Sequence, residues 1–315
     1  MINHHDFMLE GGRVGILLIH GLTGTPTEMR GVGREFNRAG YTVYGMQLAG
    51  HCGDDDDLIA TTWKDWYQSV IDAAEKLRRQ VDYLFVGGLS MGAVLALKYA
   101  SDHPNQVQGV LVYGATFRMD GWTVPTLSRL IAPWFLTLVD ILHIGRHRVF
   151  NEAPPYGIRN EQLRRKIAQS MLGGDSGAAG LPGNPWPSLS QLVYLTRNVR
   201  HALPKVVAPC LILHAENDDI AHHRNGELVR DNVSGPVEMV LLKNSYHMIT
   251  IDNDRRELVS RSIHFIRQHV PPAQPFAQAV VEQTTPAQPF AQAVVEPTTP
   301  VAAMLTELNT PIHHA

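Results

Sequence analysis
Six short apolar runs limit what this chain can fold into. They span residues 14–20 ("VGILLIH"), 41–48, 83–89, 108–115, 209–215 and 237–242, and are rich in β-branched residues. A strand with one face in water alternates polar and apolar residues. A run without that alternation suits a strand buried on both faces. Helical stretches lie between the runs. Thr25-Pro26-Thr27-Glu28 reads as a capping box with proline at the first helical position, opening a helix that reaches about Ala39 and stops at Gly40. Thr62 caps a second helix, in which Trp66, Tyr67, Val70, Ile71, Ala74 and Leu77 recur at helical spacing. A third starts at Ser90, and a last, from near Asp254, turns Leu258, Ile263, Phe265 and Ile266 toward a core. Strand alternating with helix predicts an α/β fold, a mostly parallel central sheet flanked by helices.

The alternation breaks between Thr116 and Leu203, where no clear strand occurs. The segment carries "WTVPTLSRLIAPWFLTLVDILHIG", then "NEQLRRKIAQSML", then the Gly/Pro-rich "LGGDSGAAGLPGNPWP". Residues 117–203 therefore read as an inserted helical cap or lid on a core made of 1–116 and 204–270. Beyond the core, "PAQPFAQAVVEQTTP" is followed by "PAQPFAQAVVEPTTP", a tandem repeat differing only at Gln283 and Pro297. Two small units cannot stack into a solenoid. Residues 271–315 are expected to be a disordered Pro-rich tail, or a docking segment using Phe276, Phe290 and the Val-Val pairs.

Bulk composition excludes several classes. A net charge of −3 offers no basic face for nucleic acid. Two cysteines, Cys52 and Cys210, in 315 residues make no disulfide framework and suit a reducing compartment. The polar start "MINHHDFMLEGGRVG" has no apolar signal region, and the apolar-leaning run 130–144 is short and broken by Pro133 and Asp140. The expectation is a cytoplasmic protein without stable membrane insertion. The acidic run Asp54 to Asp57 lacks the spacing of a calcium loop and reads as a solvated loop, so no metal and no cofactor are expected.

Chemistry enters at Gly88-Leu89-Ser90-Met91-Gly92, a G-x-S-x-G between an apolar strand and an Ala-rich helix. That junction forces a sharp turn and lifts the serine oxygen above the sheet. The helix N-terminus supplies free N–H groups, so Met91 N–H is a candidate oxyanion donor. A serine nucleophile also needs a base and an orienting acid, in chain order Ser, Asp/Glu, His for this architecture. "LILHAENDDIAHH" ends a strand with acids and "VLLKNSYHMITID" ends the next with His247. Residues past the C-terminal ends of parallel strands converge on one crevice, so Ser90, an acid and His247 meet there. Asp218 is the first candidate acid, with Asp219 and Glu216 beside it; His51, His214, His222 and His223 are competing histidines. The loop "HGLTGTP" after the first core strand offers Leu22 N–H as the second oxyanion donor.

With these residues the chain resembles the α/β-hydrolases. "LLIHGLTGTP", "GHCG", "GLSMGA", "HAENDD" and "SYHMITID" together are similar to the bacterial carboxylesterases and monoacylglycerol lipases with small helical caps, over about residues 7–270. The resemblance implies Ser90, Asp218 and His247 as a catalytic triad, Leu22 and Met91 as oxyanion donors, and a lid over an acyl pocket. Two positions depart from the family pattern: Cys52 follows Gly50-His51 where Gly is common, and Ala215 opens the acid turn. The implied activity is hydrolysis of small or medium acyl esters through an acyl-enzyme, with Trp122, Trp134, Phe135 and Leu136 of the lid facing an acyl or aryl group or packing the lid core. A thioesterase or acyltransferase would use the same triad. A non-catalytic binding module with the tail as docking segment is the remaining alternative, and the oligomeric state is left open.

Overall fold
The computed structural model describes residues 4–174 and 176–271. Its first half runs β1 (Phe7–Leu9), β2 (Val14–Ile19), α1 (Thr27–Arg38), β3 (Thr42–Met46), α2 (Asp55–Ile59), α3 (Trp63–Arg78), β4 (Tyr83–Leu89), α4 (Met91–Asp102) and β5 (Gly109–Tyr113). The segment expected to form the cap follows, with α5 (Thr126–Ile141), β6 (Val149–Asn151), α6 (Glu161–Leu172), α7 (Ser176–Ala179), β7 (Gly183–Pro185) and α8 (Trp186–Ala202). The chain then returns through β8 (Cys210–Ala215), α9 (Arg224–Arg230), β9 (Val237–Leu242) and α10 (Arg255–His269). The repeats of the expected tail lie outside the described residues.

Seven strands form one sheet in the order β1-β3-β2-β4-β5-β8-β9. All neighbours are parallel except β1, which pairs antiparallel with β3 at the edge. All six runs read from the sequence are strands, each within two residues of its expected ends. The missing alternation has a direct cause in β2. Ile16 and Leu18 pack with Met29, Val32, Phe36 and Leu258 on one face, while Leu17 and Ile19 pack with Trp66, Val70 and Leu77 on the other. Each fully buried side chain of this size contributes about 1.5–3 kcal/mol over its exposed state. β1 was not expected, because three residues are too few to carry a periodic signal.

Three local readings are corrected. Helix α1 begins at Thr27, one residue late, with Pro26 ahead of it. The carboxyl arm of the box survives, since Glu28 Oε1 accepts the Thr25 N–H at 3.2 Å, but the Thr25 hydroxyl accepts from Thr27 N–H instead of Glu28 N–H. The acidic run is no solvated loop: Asp54 caps α2 by accepting Asp57 N–H at 2.9 Å. Carboxylates in a first helical turn are favoured by the exposed N–H groups there. The segment thought strandless holds a two-stranded antiparallel sheet of β6 and β7, with Phe150 opposite Asn184.

The insertion leaves after β5 and returns at β8, and these two strands are neighbours in the sheet. The long excursion therefore hangs above the C-terminal edge of the strands, where Ser90, Thr116, Asp218 and His247 all follow strand ends.

Candidate active site
The sharp turn is visible in the backbone. Ser90 sits between β4 and α4 at φ 59° and ψ −118°, a left-handed φ that side chains other than glycine rarely adopt. Its N–H donates to Tyr113 O at 2.9 Å, tying the strained residue to β5. The flanking glycines answer to packing: a Cβ on Gly92 would overlap the carbonyls of Ile19 and His20, and one on Gly88 would overlap the backbone of Gly92. Strain of this kind costs on the order of 1–3 kcal/mol and persists only where surrounding contacts enforce it.

His247 and Asp218 meet from separate loops. His247 Nδ1 lies 2.8 Å from Asp218 Oδ2, and both residues are buried. Asp218 Oδ1 accepts from Ile220 N–H at 2.9 Å and Ala221 N–H at 2.7 Å, which aims the other oxygen at the imidazole. Burial alone would raise the Asp218 pKa, yet His247 and His214 beside it hold it well below the ordinary carboxylate range. Burial likewise works to lower His247, but Asp218 outweighs it, helped by Asp219 and Glu152, and the net shift is upward. The imidazole is thus fixed with its proton on Nδ1, leaving Nε2 as acceptor. That Nε2 has no hydrogen-bond partner among the described residues, so its lone pair is available to a substrate-side proton.

Asp219 does a different job. Its Oδ1 accepts His247 N–H at 3.2 Å and its Oδ2 accepts Gly157 N–H at 2.9 Å, so it fastens the backbone of the histidine loop to residue 157. Glu216 is exposed and faces no imidazole of the site. Among the competing histidines, His214 is wholly buried with Nε2 against Ala221 O at 2.8 Å, and His51 packs edge-on against His20 and Trp66. His222 and His223 lie against each other outside the cavity.

The serine hydroxyl is not on the histidine in this state. Ser90 Oγ lies 3.0 Å from Thr116 Oγ1, which itself donates to Gly114 O at 3.2 Å. With the threonine proton so occupied, Ser90 is the donor of the pair. Thr116 was missed by sequence reasoning, because a threonine after a strand carries no motif. Leu22 follows β2 and Met91 opens α4; as a first helical residue Met91 has an N–H without an intrahelical acceptor. Gly21 brings the Leu22 backbone close to the nucleophile, a Cβ there falling 3.4 Å from Ser90 Cβ.

Ser90, Thr116, Leu22 and His247 share an open cavity of about 100 Å³. Its apolar walls include Met119, Ile158, Ile167, Met171 and Leu192 from the inserted segment. Trp122, Trp134, Phe135 and Leu136, expected over an acyl group, are absent from this lining. Trp122 and Trp134 face solvent, and Leu136 is buried against α8, whose Ser190 hydroxyl donates to its carbonyl. Cys52 is buried away from the lining, and burial lifts its thiol to about 11.

Two carboxyls in the cavity, Glu28 and Glu152, were also missed. Burial raises Glu28 to about 8, with the nearby Glu152 charge adding to the shift, and burial raises Glu152 too. Glu152 accepts from Asn184 Nδ2 of β7 at 3.2 Å. A carboxyl whose folded pKa is raised holds its proton more tightly when folded. Its contribution is full below the unfolded value of 4.5 and is lost as pH rises through about 8. Glu28→Gln should therefore melt like the parent near pH 5 and be more stable by a few kcal/mol near pH 9. Thermal melts at the two pH values check this, and equal melting at both would refute the shift.

The chain is similar to known proteins over most of its length. The family model described as Hydrolase_4, serine aminopeptidase S33, matches residues 13–254. The thermostable monoacylglycerol lipase of Bacillus sp. strain H-257 is 31% identical over 265 residues, covering 84% of this chain and 94% of that protein. The carboxylesterase of Bacillus subtilis strain 168 is 24% identical, covering 84% and 96%. Among solved structures, one from a study of the metagenome-derived lipolytic enzymes LipS and LipT superposes with a TM-score of 0.67 at 30% identity, covering 84% of this chain and 97% of that one.

Proposed function
The chain belongs to the Hydrolase_4 family (serine aminopeptidase, S33), in its carboxylesterase and monoacylglycerol lipase-like branch, and on that premise we propose that it is a serine carboxylic ester hydrolase working through Ser90, His247 and Asp218. The observation that carries the reading is one cavity holding a serine on a strained turn and an imidazole with a free Nε2 and a carboxylate on its Nδ1.

The chemistry follows. Ser90 Oγ attacks the acyl carbon while its proton passes to His247 Nε2, and the Asp218 carboxylate stabilises the imidazolium. The carbonyl oxygen takes up the negative charge between Leu22 N–H and Met91 N–H. His247 returns the proton to the alcohol oxygen as the C–O bond breaks. Water then repeats the sequence on the acyl-enzyme and releases the acid. Residues 117–203 act as the cap, since they supply much of the apolar wall. The small cavity suits short or medium acyl groups. Glu28 and Glu152 offer acceptors to hydroxyls on the alcohol part, which favours an ester of a hydroxylated alcohol such as a monoacylglycerol over a thioester.

A fluorophosphonate probe should add one adduct, on Ser90, and turnover across an acyl-length series should peak at short or medium chains. No adduct would end the catalytic reading; a flat series would end the size argument. Thr116 adds a finer prediction. Attack requires the hydroxyl to leave Thr116 for His247, and a hydrogen bond of this kind contributes about 1 kcal/mol. Thr116→Val should therefore speed probe labelling by up to about fivefold. Slower labelling would mean that Thr116 helps to aim the oxygen at the substrate.

A further inference from the structure
Strand β8 carries a polar residue in an apolar slot. Its side chains alternate between the two faces of the sheet, with Leu211, Leu213 and Ala215 in one core and Cys210 and Ile212 in the other. His214 continues the second row and is wholly buried. Its Nδ1 has no hydrogen-bond partner among the described residues, and Gly226 of α9 leaves it room, since a Cβ there would stand 3.3 Å from Nδ1. A buried polar atom left unpaired is destabilising, so packing alone would favour an aliphatic side chain here. What the imidazole contributes lies at its other nitrogen. Nε2 is 2.8 Å from Ala221 O, and a carbonyl only accepts, so the ring proton is on Nε2. The same Nε2 lies 3.3 Å from Asp218 Oδ2.

That nitrogen acts on the catalytic acid in two ways. Ala221 is held from both sides, its carbonyl by His214 and its N–H by Asp218 Oδ1 at 2.7 Å, so the acid turn is tied back to its own strand. Asp218 Oδ2 sits between two imidazoles, His247 Nδ1 at 2.8 Å and His214 Nε2 at 3.3 Å. The positive end of the His214 N–H offsets part of a carboxylate charge that would otherwise act on His247 alone. We propose that His214 is a positioning residue for ester hydrolysis: it fixes the turn that aims Asp218 and limits how tightly that carboxylate holds the His247 imidazole. The inference rests on the triad reading above. A carboxylate shared with no second imidazole would make His247 more basic, and the neutral form that takes the Ser90 proton would then appear only at higher pH. Asp219, Glu152 and Glu28 also face His247, and His222 is the further titratable neighbour of His214. A change at 214 leaves all four in place.

The test compares kcat, KM and their pH dependence on a short p-nitrophenyl ester in the full chain and its variants. His214→Leu removes the donor and the unpaired Nδ1 together. It should lower kcat roughly tenfold or more, leave KM within about twofold, and move the acid limb of kcat/KM upward by about half a pH unit. His214→Gln brings an amide N–H within reach of Ala221 O and should keep kcat within about threefold, with the limb where the parent has it. His214→Met, unbranched and adaptable, makes the same comparison should the leucine variant not fold. A purely structural role would lower the melting temperature and leave the limb unmoved, and that outcome would overturn the proposal. So would a leucine variant with the parent's kcat, or a glutamine variant that loses as much as leucine. Fluorophosphonate labelling of the parent tests the triad separately. An unlabelled parent ends both readings, whereas a labelled parent with an indifferent leucine variant ends this one alone.

Discussion

Ser90→Ala is expected to lower kcat/KM for a short p-nitrophenyl ester by roughly 10⁴- to 10⁶-fold while leaving the fold intact. The size follows from what is lost. Without Oγ there is no acyl-enzyme, and the remaining help comes from oxyanion donors and binding alone. Ser90→Gly makes the contrast sharper. Activity should fall equally, but glycine accepts φ 59° without strain, so the protein should gain about 1 kcal/mol in stability. Denaturant unfolding of both variants checks the pair. A variant retaining turnover within tenfold of the parent would remove Ser90 from the mechanism.

Asp218→Asn should cost about 10⁴-fold in kcat, because an amide presents an N–H or a neutral oxygen where the imidazole needs a carboxylate, and the histidine adopts the wrong tautomer. Asp219→Asn keeps an acceptor for His247 N–H or Gly157 N–H and should cost roughly tenfold or less. The pH profile adds a second sign. His247 must be neutral to accept a proton, so kcat/KM in the parent should rise with pH through a value above 6.5, the direction in which Asp218 moves the imidazole. Removing the Asp218 charge removes that lift, and residual activity in Asp218→Asn should reach its plateau at lower pH. Equal losses at 218 and 219 would return the choice between them to open ground.

Some of this architecture is legible without coordinates, for identifiable reasons. Strands β2, β3, β4, β5 and β8 announce themselves because both faces are buried, which erases the polar positions that would blur them. The convergence of Ser90, Asp218 and His247 on one edge follows from chain direction, since every parallel strand ends on the same side. The choice of Asp218 over Asp219 is a matter of which carboxylate the turn points inward, and that lies in the bonds from Ile220 and Ala221, which leave no trace in the pattern. Glu28 and Glu152 escaped notice for a different reason: one looked like a helix cap, the other like a loop acid, and only folding brings them to the same cavity. Trp122 and Trp134 misled because apolar residues in an insertion suggest an interior, whereas both face solvent.

The place where the insertion enters has a consequence for variation. Strands β5 and β8 hydrogen-bond to each other directly, Val110 beside Cys210, so the sheet closes at that point whatever is threaded between them. The entropy of closing a loop grows only with the logarithm of its length, about 0.6 kcal/mol for each doubling. Segments can thus be lengthened or shortened at this seam at small thermodynamic expense, so long as the Gly157 N–H that ties the histidine loop through Asp219 is kept. Preference for one ester over another is expected to travel with residues 117–203, and grafting them from a relative is the measurement that checks it.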